Sequence, residues 1–144
     1  MYGFVGIFIG ICFVGPLQNF NMLNILFILP VVVLGILINS TIRIIISILS
    51  FWIEDSTPFH WVYDKLILVL GTLFPIEMFP KSLQSIIKFT PIYVVTYGPA
   101  KLIIDFSMSN FIQIIIAQII YLVITMSLVV ILYEKGVKKL TVNG

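Results

Sequence analysis

Charge is what this chain has least of. Asp, Glu, Lys and Arg make up 10% of its 144 residues, while 60% are hydrophobic. A soluble domain carries about a quarter charged and about half apolar residues, so an ordinary water-soluble domain is excluded. The mean hydropathy of +1.19 agrees. A net charge of +2 excludes a surface built for nucleic acid. No Lys or Arg precedes Arg43, which removes the basic start of a signal peptide. The lone cysteine, Cys12, cannot form an intrachain disulfide and does not suggest a thiolate metal site. It sits in an apolar run and reads as a small hydrophobe. There is no GxGxxG, no phosphate-cradling GxxxxGK[ST] and no paired metal-ligand spacing. No cofactor is called for, and the chain does not read as an enzyme.

What remains is long apolar runs. They are unbroken, whereas strands of a membrane barrel would alternate. The fold class is therefore an all-α integral membrane protein, a single membrane domain over 1–144. It has about three full transmembrane helices plus a partial N-terminal one, with short re-entrant helices before the last span. Residues 1–14 are apolar and uncharged but short of the roughly 20 residues that a crossing needs. They read as the second half of a span whose first half is missing. Gly6 and Gly10 form a small-xxx-small pair, to which little weight attaches. Gly15 to Asn24 holds Pro16, Gln18, Asn19 and Asn21, which is turn chemistry.

The run to Ile53 begins near residue 23. As one helix it spans close to 48 Å, about 1.5 Å per residue, so it must tilt, project or break near Pro30, Gly35 or Asn39–Arg43. A single long helix is the preferred reading. Glu54-Asp55-Ser56-Thr57-Pro58 is the sharpest polar break. Ser56 or Thr57 is expected to cap the next helix, with Pro58 at its first position. Phe51, Trp52, Phe59, Trp61 and Tyr63 crowd this break, as aromatic rings do at a bilayer surface. Further spans follow at about 59–74 and 110–133, the last ending before a basic tail with Lys135, Lys138 and Lys139.

Between those spans lies a greasy segment punctuated by Pro75, Pro80, Pro91 and Pro99. Proline removes an amide donor and clashes with the preceding turn, so no continuous span fits. Residues 75–106 are expected to be a re-entrant cap of short pieces. One is an amphipathic helix over Lys81 to Phe89. Two more, Tyr93 to Tyr97 and Pro99 to Phe106, are expected to be separated by Gly98-Pro99. Dipping and returning should keep Lys81, Lys88 and Lys101 near water. The positive-inside rule decides nothing, with those lysines on one face and the tail lysines on the other.

Few polar groups are placed for chemistry. His60 stands four residues before Asp64, on one helical face, resembling half of a base–orienter pair; an interfacial histidine near a helix start is the plainer reading. Arg43 lies ten residues inside its run, where a charge is expensive unless paired or facing water. Asp64 lies at comparable depth on the next span, so the two should come within reach. They read either as a pathway-facing, gate-closing pair or as an arginine that snorkels to the interface. Glu77, in the proline-rich segment, is a further pathway candidate or simply surface-exposed. Gly71, Gly98 and Pro99 are candidate bending points.

From Ile48 onward, a set of short features stands in a fixed order. They are Phe51-Trp52-Ile53-Glu54-Asp55, Gly71 with Phe74-Pro75, Met78-Phe79-Pro80, Leu83-Gln84, Thr90-Pro91 and Tyr97-Gly98-Pro99-Ala100. Gly136-Val137-Lys138-Lys139-Leu140 and Val142-Asn143-Gly144 close the chain. This order resembles the permease subunits of ABC-2 type exporters, closest to the small six-span bacterial ABC-2 family permeases, over roughly the C-terminal two thirds. Before Ile46 the likeness is one of hydrophobic spans alone.

The resemblance implies a permease of the prokaryotic plasma membrane with both termini cytoplasmic and the re-entrant helices outside. It implies a translocation pathway formed by a dimer, homo- or heteromeric, and a separate ABC ATP-binding subunit that supplies the energy. With room for about four of six spans, the chain reads as the C-terminal portion of such a permease. The alternative is a small non-transport membrane scaffold or assembly protein.

Overall fold

The computed structural model describes residues 22–74 and 76–142. The expected partial span at 1–14, with Gly6, Gly10 and Cys12, the turn that follows it, and Pro75 lie outside the described residues. Among the described residues every regular element is a helix. Helices satisfy their own backbone groups where water cannot.

Helix α1 is Met22–Ile48, extended by one tighter turn, Leu49–Phe51. Pro30 lies inside it without ending it. After a polar corner comes α2, Thr57–Leu66, which continues as π-helical turns over Ile67–Leu73. A short turn, Ile76–Met78, leads to α3, Lys81–Lys88. π-Helical turns over Tyr93–Tyr97 run into α4, Gly98–Ile104. The last helix, α5, is Met108–Val142.

Two helical stretches are long and apolar enough to cross a bilayer, Leu23–Phe51 and Met108–Lys139. With its π-helical extension, α2 reaches about 25 Å, slightly less than the roughly 30 Å hydrocarbon core. Much of the surface of α1 and α5 is large and apolar, as at Leu26 (73% exposed) and Val123 (61%); such a surface belongs against lipid or another apolar chain.

The pairings give the directions of the helices. Phe27 meets Phe111, Val31 meets Gln118, Thr41 meets Thr125 and Phe51 meets Tyr133. Residue numbers rise together, so α1 and α5 run parallel. Along α2 they run oppositely, Arg43 meeting Asp64 and Ser47 meeting His60, so α1 and α2 are antiparallel. Two parallel spans need an odd number of crossings between them, and α2 supplies one. The segment between α2 and α5 then begins and ends at the Phe27 end of the bundle. Within it, Val95 lies against Gly35 and Leu102 against Ile28 and Val31. The stretch from Tyr93 to Ile104 thus reaches about 18 Å along α1 from Leu23, by helical rise, and climbs back.

The buried cluster at that end is Ile28, Val31, Leu102 and Ile114, bordered by Phe106, Phe111 and Ile115. Phe27 closes it, with ring centroids 6.0 Å from Phe106 and 5.5 Å from Phe111, separations at which aromatic pairs attract.

Three local expectations are corrected. Helix α5 does not stop at Tyr133 but runs through Glu134–Lys139 to Val142; Glu and Lys are good helix formers. Gly98-Pro99 does not separate two pieces, because Gly98 is helical at φ −58° and ψ −54° and its amide bonds the Tyr93 carbonyl. Neither Ser56 nor Thr57 caps α2. The Asp55 carboxylate accepts the Thr57 amide at 2.8 Å, while Ser56, at φ −92° and ψ −4°, makes no side-chain cap bond. The Thr57 hydroxyl and amide together hold the Asp55 carboxyl below its usual range. Asp55→Asn should fray the start of α2, seen as faster amide exchange over residues 57–61. In the wild type the same fraying should set in as pH falls through the lowered carboxylate pKa.

At the far end, α5 passes the α1–α2 corner with no room to spare. A Cβ on Gly136 would overlap the Phe51 ring, and Phe51 also packs edge-on to Tyr133 at 6.1 Å. Forcing atoms into such a contact costs about 1–3 kcal/mol. Gly136→Ala should lose that much in detergent-unfolding titrations, and Phe51→Ala in the same chain should recover part of it.

Candidate functional site

The polar groups of the apolar helices gather in two places. The first is a seam between α1 and α2. Asn39, Arg43 and Ser47 stand four residues apart, so they line one face of α1. Each meets α2. The Tyr63 hydroxyl donates to Asn39 Oδ1 at 3.0 Å. Arg43 Nη2 donates to Asp64 Oδ1 at 2.6 Å, and its guanidinium carbon lies 5.6 Å from the Tyr63 ring centre. The Ser47 hydroxyl donates to the Arg43 carbonyl at 3.0 Å, so its 3.1 Å contact with His60 Nε2 is one in which the imidazole donates.

Sequence reasoning reached Arg43, Asp64 and His60 but missed Asn39, Ser47 and Tyr63. The signal was the four-residue spacing on α1. His60 and Asp64 do share a face, yet each turns to its own partner on α1. The base–orienter reading therefore fails on geometry. Asp64 is engaged by Arg43, and the Ser47 proton is committed to a backbone carbonyl.

The Arg43 and Asp64 side chains are 42% and 51% exposed. An ion pair half open to hydrocarbon would be very costly, so such groups face protein or a water-filled space. The described residues leave one side of this pair uncovered.

The second place is where α1, α4 and α5 meet. Gln118 is fully buried. Its Nε2 donates to the Val94 carbonyl at 2.8 Å and the Val31 carbonyl at 2.9 Å. The Val94 bond has a specific cause. In the π-helical register, where Gly98 bonds Tyr93, the donor for Val94 would be residue 99. Proline at 99 has no N–H, and Gln118 supplies the missing one. Deeper in, Thr41 donates to Thr125 at 2.9 Å while Thr125 donates to the Tyr121 carbonyl at 2.8 Å. Gln118, Thr41 and Thr125 were also missed; a glutamine in mid-run was the available signal.

The other expected residues are placed as follows. Gly71 is buried in the π-helical part of α2, where a Cβ would collide with Thr96. Gly98 and Pro99 are buried at the start of α4, Gly98 packing on Ile114. All three lie at tight contacts between elements, and the two glycines admit close approach. Glu77 has its backbone in the Ile76–Met78 turn; its side chain lies outside the described residues. The structure brings Arg43 to Asp64 and Gly71 to the segment preceding Gly98, and does not join these two groups to each other.

Compared with known families, the chain matches ABC-2 family transporter protein over residues 3–144. The match reaches well before Ile48, where the short motifs begin, and so takes in α1 and the residues preceding it. Comparison with curated proteins and with solved structures returned no match. Its helices, parallel spans and membrane-depth charges are those of a membrane protein, and the chain belongs to the ABC-2 family of transporter proteins.

Proposed function

We propose that this chain is a membrane-spanning permease component of an ABC-type exporter in a prokaryotic plasma membrane. It forms its pathway with a second permease subunit and is driven by a separate ATP-binding subunit. The observation that carries the reading is family membership over residues 3–144, and this family is one of transporters rather than enzymes. The half-open Arg43–Asp64 pair fits it, because a pathway or a partner permease would cover charges that lipid could not. In this reading the Glu54–Pro58 corner and the Lys135–Lys139 stretch face the cytoplasm. The packing of Gly136 on Phe51 is consistent with both lying at one end. The segment around α3 and α4 is then the re-entrant cap on the outer side. Gly71, Gly98 and Pro99 are the points at which that cap moves.

The test is co-expression of the tagged chain with an ABC ATP-binding subunit from the same genome. The expected result is co-purification in mild detergent, with ATP hydrolysis that depends on the permease chain. Purification of the chain without that subunit, with hydrolysis unchanged by its presence, would count against the permease reading.

A further inference from the structure

Helix α3, Lys81–Lys88, lies across the bundle rather than along it. Its leading end follows α2. The Phe79 ring stands 6.3 Å from the ring of Phe74, three residues past Gly71, which meets Thr96. Its trailing end reaches α5, where the Tyr121 hydroxyl donates to the Phe89 carbonyl. The pairs Val31–Gln118 and Thr41–Thr125 put Tyr121 level with the middle of α1, where Gly35 meets Val95. Thr96 is next to Val95, so the end of α2 and Tyr121 stand within about one helical turn of a common level, and α3 joins them.

The edges of α3 differ. At about 100° per residue, Lys81, Ser85 and Lys88 form one edge and Leu83 and Ile86 the opposite one. Ile87, to one side, is buried. The lysine edge faces the Phe27 end of the bundle. Ser85 and Lys88 line a cavity of about 470 Å³ whose α5 wall, Asn110, Gln113, Ala117 and Tyr121, runs from Tyr121 back toward the start of that helix. The apolar edge therefore faces the other way, along the lengths of α2 and α5 that cross the membrane. It is uncovered, with Leu83 45% and Ile86 62% exposed. Lys81 and Lys88 are exposed as well, and the exposed Met78 and Phe89 add apolar surface at either end of the helix.

An in-plane helix with a basic polar edge and an apolar edge has the form that binds a bilayer interface. Two to four side chains offer far less than the roughly 800 Å² per partner of a stable protein interface, and a protein seated on the apolar edge would not require the opposite edge to be basic. The level also suits lipid. The π-helical extension of α2 ends there, about 25 Å from the corner, and a bilayer meets a short span by thinning locally.

We propose that α3 docks on the lipid surface. It lies in the plane of the bilayer interface on its side of the bundle, with Leu83 and Ile86 among the acyl chains and Lys81, Ser85 and Lys88 among headgroups and water. The proposal rests on the chain being a membrane protein and not on the permease reading.

The test is spin-label accessibility of the full chain in vesicles of dioleoylphosphatidylcholine. Leu83→Cys, Ser85→Cys, Ile86→Cys and Lys88→Cys are made singly in a Cys12→Ala background. Labels at 83 and 86 should collide with oxygen and not with a water-soluble nickel chelate, and labels at 85 and 88 should do the reverse. The ratio of the two collision rates should differ between the edges by about fivefold or more. A second measurement does not depend on those labels. Ile86→Trp, in a Trp52→Phe and Trp61→Phe background, should be quenched strongly by phosphatidylcholine brominated on its acyl chains and weakly by acrylamide. Circular dichroism identifies any variant that misfolds. Nickel reaching both edges overturns the proposal, because the helix then stands in water. Oxygen alone reaching both edges overturns it too, since the helix is then immersed. Labels at 83 and 86 shielded from both reagents, with a tryptophan at 86 quenched by neither, place a protein partner on the apolar edge and also overturn it.

Discussion

Arg43→Ala and Asp64→Ala should each destabilise the folded chain, and the double variant should lose clearly less than the sum of the two. The 2.6 Å contact joins two full charges, one of them on α1, a helix built mostly of apolar residues. In water, half-exposed ion pairs contribute about 0–1 kcal/mol. In a setting of lower dielectric the same contact is a charge-assisted hydrogen bond, and each single change strands a charge without its partner. A coupling energy of about 1.5–3 kcal/mol is expected, measured as a double-mutant cycle of detergent-induced unfolding in mixed micelles. A coupling below about 0.5 kcal/mol would mean that the pair stands in bulk water and does not mark a pathway or subunit contact. Arg43→Lys should keep part of the coupling, since a lysine preserves the charge but not the forked geometry.

The second large effect is expected at Gln118. Its two hydrogen bonds join α5 to α1 and to the Tyr93–Tyr97 turns at one point. Gln118→Leu keeps much of the volume and removes the donor that Pro99 cannot provide. A buried carbonyl left without a partner costs about 1–3 kcal/mol. Part of that loss is offset, because Gln118 Oε1 is itself buried without a partner among the described residues and leucine relieves it. The informative variant is the pair. Pro99→Ala restores a backbone N–H at the position that serves Val94, so Gln118→Leu should cost less in that background than in the wild type. If the two changes add, Gln118 is not standing in for the proline.

The architecture was largely legible in the residues. Apolar runs without alternation required membrane helices, the polar break at 54–58 fixed the corner between α1 and α2, and the prolines from Pro80 to Pro99 ruled out another continuous span. The comparable depths of Arg43 and Asp64 from that corner were enough to anticipate their meeting. What was hidden depended on register between distant segments. Gly98-Pro99 looked like a break because proline in an α-helical register leaves a carbonyl stranded. A π-helical turn and a glutamine nineteen residues later along the chain remove that penalty, and neither can be seen from the dipeptide. Seen alone, Asn39 and Ser47 are unremarkable polar residues of an apolar helix, and only the approach of α2 gives their spacing meaning.

The placement of α1, α2 and α5 across a membrane, with the α3–α4 segment returning to the side from which it came, is tested most directly by thiol accessibility. Single cysteines at positions 56, 81 and 105, in a Cys12→Ala background, are exposed to a membrane-impermeant maleimide in intact cells and in lysed cells. Positions 81 and 105 should label in intact cells, and position 56 only after lysis. Labelling of 81 and 105 from opposite sides would make the proline-rich segment a crossing, and labelling of 56 and 81 from the same side would mean that α2 does not cross at all.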